Sequence, residues 1–237
     1  MHRFVLLRHG QSQWNLENRF TGWVDVSLSP AGEAEATRAG QLLGAEGLQF
    51  ERAFTSVLAR AIRTSDIALA VVEQLWIPVS KDWRLNERHY GGLTGLNKAE
   101  MAAVHGEDQV RRWRRSYDVS PPPAAKGGPF DFSTDRRYAC AVVPLAESLK
   151  TTLERVLPCW RTVIEPSLAA GETLLISAHG NSLRAILKHI FDVSDEAIAG
   201  VDVPTGNPLL IELDSKLFPR AARYLDVDRA KPLPPLH

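Results

Sequence analysis

The chain has no excess of charge of either sign: 28 lysines and arginines balance 28 aspartates and glutamates. Nothing in that balance attracts a polyanion over the whole surface, so the expectation is no nucleic-acid partner and no membrane partner. Any anion must be bound locally. Cysteine is nearly lacking, and Cys140 and Cys159 form neither a disulfide framework nor a metal-ligand spacing. Long apolar runs are also missing. The first, Phe4 to Leu7, is bracketed by Arg3 and Arg8 and is far too short for a signal segment or a membrane span, which predicts a cytoplasmic location. No repeat of solenoid length is present.

What is there is an apolar content of 44% in 237 residues, enough for one large core and so for a single domain over 1–237. Short hydrophobic runs alternate with helical patterns, which predicts an α/β fold: three layers, doubly wound, a mostly parallel sheet with helices on both faces. Strands are expected at Phe4–Leu7, Arg52–Thr55, Ile77–Ser80 and Thr173–Ala178. Ser29-Pro30 reads as a helix start, and Ser56 as the cap of the helix that carries Leu58, Ile62, Ile67 and Leu69. From about 82 to 138 the pattern gives way to tryptophan, arginine, glycine and proline, with short helices at Asn97–Val104 and Glu107–Arg115. This segment reads as a large insertion capping the site. A helix from Leu149 to Leu168 should be kinked at Pro158. The proline-rich end, about 228–237, is expected to be a mobile tail.

One internal echo stands out. Leu7-Arg8-His9-Gly10-Gln11-Ser12 is answered by Ser177-Ala178-His179-Gly180-Asn181-Ser182. Each places a His-Gly pair directly after a hydrophobic strand. In open parallel sheets ligands bind beyond the carboxyl ends of the strands, so His9 and His179 are expected to face one pocket. Gly10 and Gly180 would let the backbone turn and approach a ligand, and the amides at a following helix start suit an anion, which points to phosphate. Each histidine taken alone reads first as structural, and the echo is what turns the reading toward a phosphate cradle. A metal centre is disfavoured, because no carboxylate or third histidine stands at a coordinating spacing and Arg8 would repel a cation.

The first of these segments, extended through Gln13-Trp14-Asn15, resembles the phosphohistidine motif of the histidine phosphatase superfamily. Four more segments resemble its cofactor-dependent phosphoglycerate mutase branch: Phe20-Thr21-Gly22-Trp23, Leu85 to Lys98, Trp113-Arg114-Arg115-Ser116, and Ala178 to Arg184. The match runs in order from about Phe4 to Asp226.

The resemblance implies interconversion of 3-phosphoglycerate and 2-phosphoglycerate through a phosphohistidine, with 2,3-bisphosphoglycerate as primer and intermediate and no metal. It makes His9 the nucleophile and Glu87 the general acid and base. Arg8, Arg60 and His179 would surround the transferring phosphoryl oxygens with positive charge, the arginines through their planar forks. Ser12, Asn15, Thr21, Gly22 and Asn181 would supply neutral hydrogen bonds. Tyr90, Lys98, Arg114 and Arg115 would bind the carboxylate and the second phosphate, and only some of the basic run Arg111, Arg112, Arg114 and Arg115 can point inward. Relatives are commonly homodimers or homotetramers. Two other readings stay open: a phosphomonoesterase of the same superfamily, in which water attacks the phosphohistidine, and a catalytically idle phosphate-binding protein.

Overall fold

A computed structural model describes residues 2–236. Strand β1 (His2–Arg8) is followed by a single turn of helix, α1 (Gln13–Leu16), and by α2 (Pro30–Ala45). Ser29 caps α2 by accepting the Gly32 N–H, with Pro30 in the first turn where its missing N–H is harmless. Next come β2 (Arg52–Thr55), α3 (Ala59–Val71) and β3 (Val79–Lys81). Strand β3 begins later than the apolar pattern suggested, since Pro78 has no N–H to donate and joins the sheet only through its carbonyl, which accepts from Ala53.

The segment after Lys81 adds helices but no strand until β4. It contains α4 (Lys98–His105), capped by Asn97, and α5 (Glu107–Arg115), both where their local signals place them. Helix α6 (Leu149–Cys159) and α7 (Glu165–Ala169) then flank a π-helical segment, Trp160–Ile164. The irregularity expected at Pro158 therefore takes the form of a π-turn lying between Pro158 and Pro166. Strand β4 (Leu174–Ala178) leads into α8 (Gly180–Ile190), and β5 (Leu209–Leu213) and β6 (Pro219–Tyr224) end the sheet. The β5–β6 pair was not anticipated from the sequence.

The sheet order is β3-β2-β4-β1-β5-β6, with β3, β2, β4 and β1 parallel and β5 antiparallel to both its neighbours. Side chains alternate across it. Phe4, Leu6, Leu174, Ile176, Leu209 and Ile211 meet α6 and α8 in the larger core. Val5, Leu7, Leu175 and Leu210 face α2 and α3 in the smaller one. Strands buried on both faces have no solvent face to make polar, which is why the runs Phe4–Leu7 in β1 and Leu174–Ile176 in β4 show no alternation in sequence. Leu233, in the proline-rich end, packs against the larger core.

Candidate active site

Strands β1 and β4 pair in parallel with Arg8 opposite Ala178, so the residues that follow them, His9 and His179, leave the sheet side by side. The His9 N–H donates to the Ala178 carbonyl at 3.0 Å, and the ring centroids lie 4.9 Å apart with planes at 63°. His9 Nδ1 is 2.7 Å from the Gly10 carbonyl. A carbonyl only accepts, so the ring proton is on Nδ1 and the lone pair on Nε2. Burial, reinforced by Arg60 and Arg8, holds the pKa of His9 well below 6.5. A neutral imidazole with a free Nε2 is a nucleophile near pH 7.

His179 is fully buried, and burial together with Arg60 and His9 also lowers its pKa well below 6.5. With those neighbours alone the ring is neutral near pH 7. Its Nε2 meets Ser56 Oγ at 2.7 Å, and as the N-cap of α8 its side chain faces the Ser182 N–H while its own N–H donates to Ser182 Oγ at 3.1 Å. Ser56 does not cap α3. The cap position belongs to Leu58, whose N–H donates to Ser56 Oγ at 3.2 Å.

Arg8, at the end of β1, donates from Nη1 to the Val203 carbonyl at 2.7 Å, and its buried Nε has no acceptor. Arg60, in the first turn of α3, gives Nη1 to Val24 O and Nη2 to Gly22 O, each at 2.8 Å. The outer fork of Arg60 is thus engaged by backbone carbonyls, and what it offers the pocket is charge and an unpartnered Nε. Burial brings its pKa down to about 10, opposed by Glu87 and Asp25, and it remains a cation at neutral pH. Glu87 Oε1 accepts from the amides of Arg88 at 2.7 Å and Asn181 at 3.2 Å, and Trp23 Nε1 donates to the Glu87 carbonyl. Two amides on one carboxylate oxygen leave the other oxygen for proton transfer.

One pocket gathers most of the expected residues: Arg8, His9, Asn15, Thr21, Arg60, Glu87, Tyr90, Lys98, Arg114, Arg115, Gly180 and Asn181. Four expected residues do not reach its wall. Ser12 is buried as the N-cap of α1, accepting the Asn15 N–H while Asn15 Oδ1 accepts its own N–H. Gly10 is pressed against Gly32 of α2, where any side chain would overlap backbone, and its N–H goes to Thr64 Oγ1. Its close approach here is to the start of α2. Gly22, at φ +57°, positions Arg60 through its carbonyl. His179 lies behind His9. Of the basic run, Arg111 and Arg112 are exposed, Trp113 is buried against Phe20, Leu93 and Val110, and Arg114 and Arg115 turn inward.

Two wall residues were not foreseen. Arg19 precedes the Phe20–Trp23 segment, and that adjacency was the available signal. Asp202 had no local signal; it reaches the wall through the loop before β5 and holds Arg115 Nη1 at 3.2 Å. Behind the wall Arg184 donates to Asn181 Oδ1 at 2.8 Å and to the Ile198 and Arg115 carbonyls. Burial, with Arg88 and Arg115, lowers its pKa to about 9.

Arg8 Nε, Arg60 Nε and Thr21 Oγ1, all on residues that line the pocket, are buried without a hydrogen-bond partner in the protein. Leaving such a group unpaired costs about 1–3 kcal/mol each, so donors gathered in one place fit a polyvalent oxyanion. Lys98, Arg114 and Arg115 line the same pocket, which suits a ligand with more than one anionic group. Among the described residues no group of three or more histidines, cysteines or carboxylates could hold a metal ion.

A family model described as "Histidine phosphatase superfamily (branch 1)" matches residues 4–218. A protein of Caulobacter sp. (strain K31), named 2,3-bisphosphoglycerate-dependent phosphoglycerate mutase, is 66% identical over 230 residues, 97% of each chain. A protein of Hyphomonas neptunium with the same name is 60% identical over 236 residues, 100% of each chain. Among solved structures, a mycobacterial glucosyl-3-phosphoglycerate phosphatase aligns with TM-score 0.70 at 24% identity, over 94% of this chain and 97% of that one. The Bacillus stearothermophilus protein YhfR aligns with TM-score 0.69 at 23% identity, over 92% and 94%. These two likenesses concern the fold alone.

Proposed function

The chain belongs to branch 1 of the histidine phosphatase superfamily, and from that membership we infer that it is a 2,3-bisphosphoglycerate-dependent phosphoglycerate mutase interconverting 3-phosphoglycerate and 2-phosphoglycerate. One observation carries the site reading. A neutral, buried His9 with a free Nε2 shares one pocket with Glu87, Arg8, Arg60, Lys98, Arg114 and Arg115.

The bisphosphoglycerate, when bound, supplies the phosphoryl group that primes His9, and the unpartnered donors and cap cations are the groups that would hold it. His9 Nε2 then carries the phosphoryl group. As the free hydroxyl of 3-phosphoglycerate attacks phosphorus, the P–N bond breaks, and the unengaged oxygen of Glu87 takes the hydroxyl proton. Arg8 and Arg60 stabilise the charge on the equatorial oxygens. Lys98, Arg114, Arg115 and Tyr90 keep the doubly phosphorylated glycerate from leaving while it turns. His9 then takes back the other phosphoryl group, Glu87 returns the proton, and 2-phosphoglycerate leaves.

The cations Lys98, Arg114 and Arg115 in the lining support a mutase over a hydrolase, because a phosphomonoesterase needs only to admit water after the first transfer. No helix among the described residues is long and apolar enough to cross a membrane. A cytoplasmic location and a homodimer or homotetramer complete the reading.

The test is an NMR assay of both glycerate isomers with and without a trace of primer, in the presence of EDTA. Rapid, primer-dependent isomerisation is expected. Strict dependence on manganese would overturn the scheme, and release of inorganic phosphate exceeding isomerisation would assign the site to a phosphomonoesterase.

A further inference from the structure

Asn181 and Tyr90 both line the pocket, and a guanidinium behind the wall fixes how they present their polar atoms. Arg184 lies one turn after Asn181 on α8 and is 2% exposed. Its Nη1 donates to Asn181 Oδ1 at 2.8 Å, and its Nη2 donates to the carbonyls of Ile198 at 2.7 Å and Arg115 at 3.1 Å. All three acceptors are neutral oxygens. Burial and the charges of Arg88 and Arg115 work against a cation there, so Arg184 costs stability; what it gives in return is a fixed direction to three oxygens.

A guanidinium has donors only, so the Asn181 atom that faces it is Oδ1. With the carboxamide flipped, Nδ2 would point its hydrogens at the Nη1 hydrogens, donor against donor. The orientation that Arg184 selects turns Nδ2 toward the Tyr90 hydroxyl oxygen, 3.2 Å away. That oxygen accepts from Asn181, and the phenol proton, which goes to no acceptor among the described residues, is left for a ligand. Arg88 stands 4.9 Å from the centre of the Tyr90 ring. Burial raises the phenol pKa, but Arg88, with Arg114, outweighs it and the net shift is downward, which makes the O–H a stronger donor to an anion.

We propose that Arg184 is a positioning residue for substrate binding: by holding Asn181 Oδ1 it turns Nδ2 onto the Tyr90 oxygen and leaves the Tyr90 O–H as a donor to the bound phosphorylated glycerate. Through the Arg115 carbonyl the same guanidinium ties the end of α5 to α8, so the two elements that bring donors to the ligand keep one spacing. The identity of the ligand rests on the phosphoryl-transfer reading above; the direction of the Asn181 carboxamide does not.

The experiment uses the full chain, unphosphorylated and free of ligand, with 15N-labelled asparagine. The Asn181 side-chain amide signals, assigned by their loss in Asn181→Ala, should show an NOE to the Tyr90 ring. Dissociation constants for 3-phosphoglycerate are then measured by calorimetry. Arg184→Met should remove the NOE and weaken binding about 10- to 100-fold, the size of one charge-assisted hydrogen bond. Tyr90→Phe should weaken it by a similar factor, and adding Arg184→Met to Tyr90→Phe should cost at most about threefold more, because both act through one hydrogen bond. Absence of the NOE in the wild type overturns the proposal without any variant, so the test stands even if Arg184→Met does not fold. Wild-type affinity in Arg184→Met also overturns it, as do multiplicative effects of the two substitutions, which a merely structural arginine would give. Isomerisation by the wild type is measured separately, so failure of the mutase reading is told apart from failure of the positioning role.

Discussion

Arg155 holds Glu147 by two hydrogen bonds, Nε to Oε1 at 2.7 Å and Nη2 to Oε2 at 2.9 Å, and both side chains are buried. The same guanidinium donates to the carbonyls of Arg84 at 2.7 Å and of Asn86 and Glu87 at 3.3 Å, while Glu147 Oε2 accepts the His89 N–H. The loop that carries Glu87 is thereby tied to α6 from both ends.

Arg155→Met should leave Glu147 buried without its counter-charge and cost about 3–5 kcal/mol of stability, measurable by urea denaturation. In the fraction that folds, kcat should fall more than substrate affinity, since the groups that bind phosphate are untouched. Unchanged stability together with unchanged kcat would sink this account.

The lowered pKa values of His9 and His179 make stability depend on pH in a definite direction. Between the unfolded value near 6.5 and the lower native values, the unfolded chain binds protons that the folded chain refuses. Stability therefore falls as pH drops below about 6.5, and this contribution levels off once the native pKa values are passed. The slope of unfolding free energy against pH between 6.5 and 5 should flatten in a His9→Asn, His179→Asn double variant. An equal slope in both proteins would count against it.

Gly10→Ala should behave as a folding lesion before a catalytic one. A methyl group at position 10 would overlap the Gly32 carbonyl at the start of α2, and neither backbone can yield without moving the other. Overpacking of this kind costs about 1–3 kcal/mol and often more. The Gly10 carbonyl orients His9, so phosphoryl capture on His9, read by intact-protein mass spectrometry, should fall with it. A stable and fully active Gly10→Ala protein is the contrary result.

Adjacent arginines of α5 should differ in their effects. Arg114 lines the pocket and Arg111 faces outward. Arg114→Ala should raise KM for phosphoglycerate about 10- to 100-fold, the size of one charge-assisted hydrogen bond of about 1.5–3 kcal/mol. Arg111→Ala should leave both constants near wild type. Equal effects from the two would mean that the cap acts by net charge and not by contact.

What the amino-acid order determined alone is what physics makes local. The apolar runs at Phe4–Leu7 and Thr173–Ala178, the Ser29-Pro30 cap, and the starts of α4 and α5 depend on neighbours a few residues away, and they stand where the pattern puts them. The His-Gly echo was legible for the same reason, and the parallel register of β1 and β4 makes it one site. Tertiary packing decided the rest. Gly10, Ser12 and Gly22 stand off the pocket wall, in contact with α2, α1 and Arg60 respectively. Helical phase against the pocket separated Arg114 from Arg111, and the return of the chain through β5 brought Asp202 to Arg115 from 87 positions away. A side chain's type is written in the chain, but the partner that satisfies it is found only when distant segments pack, since hydrogen bonds and desolvation depend on distance in space and not along the backbone.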